Sequence, residues 1–336
     1  MTDAPRLSIA EQLSRVLDKG YTAAVTPILR AIVRNLTTGI VVTRLAQVDD
    51  EANRSVLAAD SPAFRALVVD LTLVMRRNAA LVDAGGAEAQ TVGLQAAAKL
   101  TRQLALPGVL DAALKQTGLA WHTPPADVLA RIVQYTTSDA WRNELGAYAK
   151  MADRIQGIAL RRMVEGRHPL AIAREVRQAV EGLPVHQANQ MMRSLQLTAY
   201  RDATAAHQAA NAHILDHAVR VEALDGRTCL ACWSLHGEKL PLGGRPDEHR
   251  NGRAVAVGVV KGSDRSVVPG EARFAALPEA QQRDIMGHAN YEAYRAGRVR
   301  LEDFAHRHDD PVFGGAVREA SLKGILGEGA KEYYAN

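Results

Sequence analysis

Over the first 184 residues the apolar positions recur at three- and four-residue intervals, the period that gathers side chains on one face of an α-helix. Ile9, Leu13, Val16 and Leu17 make the first such stripe, with Ser8 and Glu11 reading as a capping box before it and Gly20 as its end. Thr26 and Pro27 open a second stripe through Ile28, Ile32, Val33 and Leu36, stopped by Gly39. Ser61 and Pro62 open a long helix through Phe64, Leu67, Val68, Leu71 and Met75, closed by Gly85 and Gly86. Thr123 and Pro124 precede Val128, Leu129, Ile132 and Val133, and a stretch from Ser138 to Val164 carries Leu145, Tyr148, Met151, Ile155 and Ile158. The apolar faces are expected to meet in a shared core. No fixed-period repeat is visible, which argues against a solenoid.

Further on, a helix is expected from His186 to about Leu215, with Met191, Met192, Leu195, Ala199, Ala206 and Ala210 near one side. The period then changes. Val219, Val221 and Ala223 alternate with Arg220 and Glu222, the pattern of a half-buried strand ending at the turn Asp225-Gly226. "AVAVGVV", residues 254–260, predicts a second strand, and helix returns from Leu277. The expected architecture is a mainly α N-terminal helical region, residues 1–184, followed by a smaller α+β domain with a short antiparallel sheet, residues 185–310, and a C-terminal tail, 311–336.

Composition sharpens this only a little. Apolar residues make up 47% and charged residues 23% of the 336, which fits a folded globular chain rather than a disordered one. Aromatics are scarce at 4%, and the prevalence of Ala, Leu and Arg favours helix. The net charge of +4 is interspersed with acids rather than gathered in one arm, the pattern of a solvated surface. "AFRALVVDLTLVM" is interrupted by Arg65 and Asp70 and is too short to span a bilayer. No apolar secretion signal is read at the N-terminus, so a cytoplasmic origin is expected.

Candidate chemistry centres on "ALDGRTCLACWSLHG", residues 223–237, which holds both cysteines, Cys229 and Cys232. Two thiolates at this spacing can face one metal, and His236 and His249 could complete a Cys2His2 shell. Two other readings stand beside zinc: a pair of buried free thiols, and thiol exchange, which would want the parallel α/β setting that this pattern lacks. "HGE" at 236–238 contains the residue types of a zinc deaminase but follows the cysteines instead of preceding them. "DEHRNGR", with His249 and Asn251, holds the residue types of a metal-dependent nuclease, but it reads more simply as a turn entering the second strand. No nucleophile elbow, phosphate loop or H-E-x-x-H motif occurs.

Four segments between residues 170 and 303 together resemble the phage Mu F-like family of head-morphogenesis proteins, the minor head or minor capsid proteins. In "MMRSLQLTAYRDATAAHQAAN", Arg193, Ala199 and Tyr200 match, while Ser194 and Leu195 stand where Thr and Glu are usual. "RVEALDGRTCLACWSLHGEKLP" is similar to the most distinctive family stretch through Asp225, Arg227, Thr228, Cys229, Cys232, Leu235 and Gly237. "DEHRNGRAVAV" resembles a loop containing His249, Asn251 and Arg253, although the cysteine that usually ends it is Ala254 here. The closing helices match at Leu277, Gln282, Gly287, Tyr291, Gly297, Leu301 and Asp303.

The resemblance implies a structural protein of a tailed phage or prophage, acting by binding rather than catalysis in head assembly at the portal vertex. Its partners would be the portal protein, major capsid or scaffolding proteins, and packaged DNA, with no membrane involved. The chain would reside in the virion after assembly in the host cytoplasm. Asp225 would cap its turn and Arg227 would bond loop carbonyls or a carboxylate. If the family's Cys and His residues hold zinc, Cys229, Cys232 and His249 remain as ligands, with His236 the candidate for the gap left by Ala254. A DNA-contacting role would need a continuous basic face across Arg250, Arg253, Lys261 and Arg265.

Overall fold

The computed structural model describes residues 4–104, 121–262, 267–310 and 314–334. The fold is mainly helical, with a long N-terminal helical region followed by a smaller region of short antiparallel sheets. The helices are α1 (Ala4–Thr37), α2 (Ile40–Asn53), α3 (Pro62–Leu104), α4 (Ala126–Val133), α5 (Asp139–Ala149), α6 (Met151–Val164) and α7 (Pro169–Ala210). Then come β1 (Leu215–Val221), α8 (Leu230–Leu235), β2 (Lys239–Leu240), β3 (Val255–Val260), α9 (Gly270–Ala275), α10 (Glu279–Met286) and α11 (His288–Arg295). The chain finishes with β4 (Ala305–Asp310), β5 (Gly314–Glu319), α12 (Leu322–Leu326) and α13 (Lys331–Tyr334).

Two compact units emerge, and they are not consecutive in sequence. The helical unit comprises Lys19–Val92 and Val133–Gln196, and the mixed unit Met1–Asp18, Gly93–Ile132 and Leu197–Asn336. The boundary expected near residue 185 therefore falls inside α7. The expected C-terminal tail is folded: Leu322 and Ala330 are buried in a cluster with Trp233, Phe274, Tyr291 and Phe304.

Several helix boundaries expected at Gly and Pro are absent. Helix α1 begins at Ala4, so Ser8 lies within it, and it continues through Gly20 and Pro27 to Thr37. Helix α3 passes through Gly85 and Gly86, and α7 passes through Pro184. Burial on both sides explains the survival of α7 across the proline: Ala179 and Val180 before it, and Ala188, Met191 and Met192 after it, all lie in the core of the helical unit. Tertiary packing outweighs the lost backbone hydrogen bond. The glycines serve close approach instead. A Cβ on Gly86 would lie 2.9 Å from Trp141 Cζ2 and 3.0 Å from Leu195 Cδ2, and one on Gly20 would lie 2.7 Å from Val92 Cγ1. Trp141 is fully buried, and its Nε1 donates to Asp83 Oδ1 at 2.8 Å, so the ring has a fixed seat.

In the mixed unit the sheet order is β2-β1-β3, all antiparallel, with Val219 paired to Val257 and Ala218 to Gly258 on one side and to Leu240 on the other. Strand β1 is thus central rather than half-exposed. Arg220 and Glu222, whose alternation with valines suggested an outward face, are buried at 0% and 2% exposure. One face packs Val219, Val221, Val255, Val257 and Val259 against Leu197, Tyr200 and Ala203 of α7. A second sheet, the hairpin β4–β5, pairs Ala305 with Glu319 through Asp310 with Gly314 and has no counterpart among the sequence expectations.

Gly86→Ala tests the packing account. In an open helix the exchange would gain about 1 kcal/mol. Here overpacking against Trp141 and Leu195 is expected to reverse the sign, destabilising by about 1–3 kcal/mol in urea unfolding. The control is Gly146→Ala in α5, where nothing lies within 4 Å of the added Cβ, and a gain of about 0.4–1 kcal/mol is expected.

Candidate metal centre

The expected residues that converge are Cys229, Cys232 and His249. Cys229 is the N-cap residue of α8 in an extended conformation, and Cys232 lies one turn on. A helical C-x-x-C places both sulfurs on the same side, because residues three apart share a helix face. The helix start is fixed from outside: the Leu230 backbone N–H donates to Glu319 Oε2 of β5 at 2.8 Å. His249 arrives from the loop before β3, with Nε2 at 3.5 Å from Cys229 Sγ and 3.3 Å from Cys232 Sγ. All three donor atoms lie within 4.8 Å of one another. The Nδ1 edge of His249 faces the Arg250 carbonyl oxygen at 2.9 Å, which can only accept, so Nδ1 carries a proton.

The electrostatics of the trio are strongly polarised. Hydrogen bonds from Cys232 and then His249 hold Cys229 toward its thiolate form and lower its pKa to about 4. The thiolate in turn raises His249 to about 9, with Glu248 adding to the effect. Cys232, bonded to that thiolate and buried near Glu222 and Glu248, is pushed well above the ordinary thiol range. Cys229 and His249 are half-buried, whereas Cys232 is buried.

The loop that presents His249 rests on residues that the sequence did not single out. Buried Arg220 donates from Nε to Glu222 Oε1 at 2.7 Å and from Nη1 to the Asp247 carbonyl at 2.6 Å, and its Nη2 lies 3.5 Å from Glu248 Oε1. Glu248 accepts from the backbone N–H of Ala254 at 2.8 Å and of His249 at 3.2 Å. Arg201 of α7 donates to the carbonyls of Gly252 and Ala254 at 2.6 and 3.2 Å. Glu222 is raised to about 7 by burial and then by the charge of Glu248. The hairpin completes the frame: Val317 N–H donates to the Glu248 carbonyl at 3.2 Å, and Arg307 pairs with Glu238 at 2.6 Å and with Asp247. The turn itself follows the expectation for Asn and Gly. Asn251 has φ 65°, and a Cβ on Gly252 would overlap the Glu248 carboxylate.

The other sequence candidates separate. Asp225 caps its turn by accepting from Arg227 N–H at 3.0 Å, and Thr228 Oγ1 donates to it at 3.2 Å. Its bidentate partner is Arg253, at 2.6 and 2.7 Å, while Arg227 points outward with Nη2 3.8 Å from the carboxylate. Gly237, with φ 90°, donates its N–H to the Arg220 carbonyl at 2.9 Å. Tyr200 is buried in the mixed unit. Arg193 belongs to the helical unit, its guanidinium 5.8 Å from the Tyr21 ring centroid. His236 does not join the trio. It is buried, and its Nδ1 accepts from the Glu222 backbone N–H at 3.0 Å. Of the four residues that a basic face for DNA would need, Arg253 pairs with Asp225, Lys261 Nζ lies 3.4 Å from the His213 carbonyl, Arg250 presents its carbonyl to His249, and Arg265 lies outside the described residues.

Among the described residues no single helix is long and apolar enough to cross a membrane. Compared with known protein families, curated proteins and solved structures, the chain matches none.

Two substitutions probe this arrangement. Arg220→Met leaves Glu222 and Glu248 buried without their shared cation, and a loss of about 3–5 kcal/mol is expected on chemical unfolding. Arg253 holds Asp225 well below the usual carboxylate range, so the stability that this pair adds is present above the ordinary Asp pKa and fades as pH falls. Arg253→Gln is therefore expected to be less stable than wild type at pH 7, with the gap narrowing below about pH 4. Unfolding midpoints measured from pH 7 to pH 3 check this, and a pH-independent gap would contradict it.

Proposed function

We propose that the chain is a structural component of a tailed-phage head, acting by protein binding in assembly at the portal vertex. The observation that carries the reading is the convergence, within the mixed unit, of residues from all four segments that resemble the Mu F-like family. Asp225 and Thr228 of the second segment close on Arg253 of the third. Cys229 and Cys232 close on His249. Arg201, from the first, carries the carbonyls of the third. Trp233, from the second, packs with Phe274, Tyr291, Leu301 and Phe304 of the fourth. Residues drawn from the four segments thus act as one packed and hydrogen-bonded corner, which supports reading that corner as structural.

On this reading the portal protein is the main partner, and major capsid or scaffolding proteins are further partners. The protein works in the host cytoplasm during assembly and then stays in the virion. Its role is to present surfaces rather than to turn over a substrate, and the sequestered Arg253 gives no reason to favour the DNA-contacting alternative.

The test is co-expression with the portal protein of the same phage or prophage. The tagged chain is expected to retain portal protein through size-exclusion chromatography and to be present in purified heads. Recovery free of portal protein, together with absence from heads, would overturn the reading.

A further inference from the structure

We propose that Cys229, Cys232 and His249 bind one zinc ion through three protein ligands, with the fourth coordination position open to an exogenous donor. This goes beyond the head-assembly reading and does not rest on it.

The first argument is metric. With Zn–S near 2.3 Å and Zn–N near 2.0–2.1 Å, a tetrahedral centre separates sulfur from nitrogen by about 3.5 Å. The structure places a single nitrogen, His249 Nε2, at 3.5 and 3.3 Å from two sulfurs at once. One N–H···S hydrogen bond explains one such distance. Two from the same nitrogen, with all three donors mutually within 4.8 Å, describe the triangular face of a tetrahedron. The second argument is orientation. The Arg250 carbonyl at 2.9 Å from Nδ1 supplies the outer contact that metal-bound histidines typically have, and it directs Nε2 at the sulfurs. Two thiolates and an imidazole form a donor set that favours zinc over the hard cations.

The third argument concerns the missing corner. At position 254 the methyl side chain of Ala254 offers no donor, and its backbone N–H and carbonyl are both engaged, by Glu248 and Arg201. His236 is held by the Glu222 backbone N–H and lies outside the trio. Glu222 and Glu248 do approach Cys232, with donor atoms within 4.8 Å of each other and of its sulfur, but they form a separate triangle that excludes Cys229 and His249. Both carboxylates are also engaged with Arg220. Among the described residues no fourth protein donor closes the first triangle. Cys229 and His249 are only half-buried, so water or another small monodentate donor can reach a metal there. Such a site differs from a four-ligand structural zinc centre, which is closed to exchange.

The experiment uses the full chain, stripped with a chelator and titrated with Zn2+ or Co2+ alone. The wild type is expected to take up one equivalent, and the Co2+ form to show sulfur-to-metal charge transfer with four-coordinate visible bands. Added imidazole should shift those visible bands, because it enters the open position. Cys229→Ser and His249→Ala are each expected to weaken binding by more than about tenfold, while His236→Ala binds as wild type does. Circular dichroism checks that the variants fold. A second measurement needs no variant: zinc should protect both wild-type cysteines from iodoacetamide. The proposal is overturned if the wild type takes up no stoichiometric metal, if zinc leaves alkylation unchanged, if His236→Ala loses the metal, or if imidazole leaves the Co2+ spectrum unaltered. A protein that binds zinc but no portal protein would sink the functional reading alone.

Discussion

A guanidinium with no exposed surface, that of Arg220, sets the arrangement of the mixed unit around the candidate site. Removing a cation from water costs several kcal/mol unless charge and hydrogen bonds replace the lost hydration. The replacements here come from separate places in the chain: Glu222 two residues on, just past the end of β1, the Asp247 carbonyl, and Glu248 in the distant loop. Satisfying Arg220 therefore pins the 247–248 segment to β1. His249 is the next residue, so its approach to the cysteines follows from charge compensation before any thiol or metal chemistry is invoked. Burial, and after it the neighbouring charge of Glu248, raises the Glu222 carboxyl. Arg220 and Arg201, whose Nη2 lies 3.6 Å from Glu248, make their proximity tolerable.

The same logic explains why a polar hairpin near the end of the chain matters to the site. Strands β4 and β5 bury little on their outer faces, yet they contribute three contacts to the frame: Glu319 at the start of α8, Val317 N–H on the Glu248 carbonyl, and Arg307 bridging Glu238 and Asp247. The cysteine helix and the histidine loop are thus held from the same hairpin. Backbone and ionic contacts of this kind position donors more narrowly than hydrophobic packing alone.

These relationships explain what could be read from the chain. The stripes Ile28, Ile32 and Leu36, and Phe64, Leu67, Leu71 and Met75, were legible because helical periodicity reports burial directly, and the valine-rich strand 255–260 was legible because a short continuous apolar run marks a strand buried on both faces. Gly20, Gly85 and Gly86 misled because local propensity treats them as stops, whereas tertiary contacts use them for close approach; the helix expected to start at His186 instead runs on from Pro169 through Pro184 because both flanks are buried. Arg220 and Glu222 misled in the opposite way. Alternation assigns polar residues to water, and only the pairing of β1 on both edges, with loops over its other face, shows that they are buried. The hairpin β4–β5 had no apolar alternation to announce it. Of the site, Cys229, Cys232 and His249 were visible from spacing and residue type. The exclusion of His236 was not, because it depends on the Glu222 backbone N–H, and a backbone donor leaves no trace in a sequence.

Ala254 ties the site to the frame. A fourth thiolate at this place would let a metal close the turn, and the turn would then depend on the metal for its shape. In this chain the Ala254 N–H is bonded to Glu248 and its carbonyl to Arg201, while Gly252 and Asn251 supply the backbone geometry. The loop is closed by carboxylate and guanidinium instead. A three-donor site can persist on such a loop because nothing about the loop's conformation requires the fourth ligand. Metal at the trio would fasten two segments that the ionic network has already brought together, rather than create the fold that presents them.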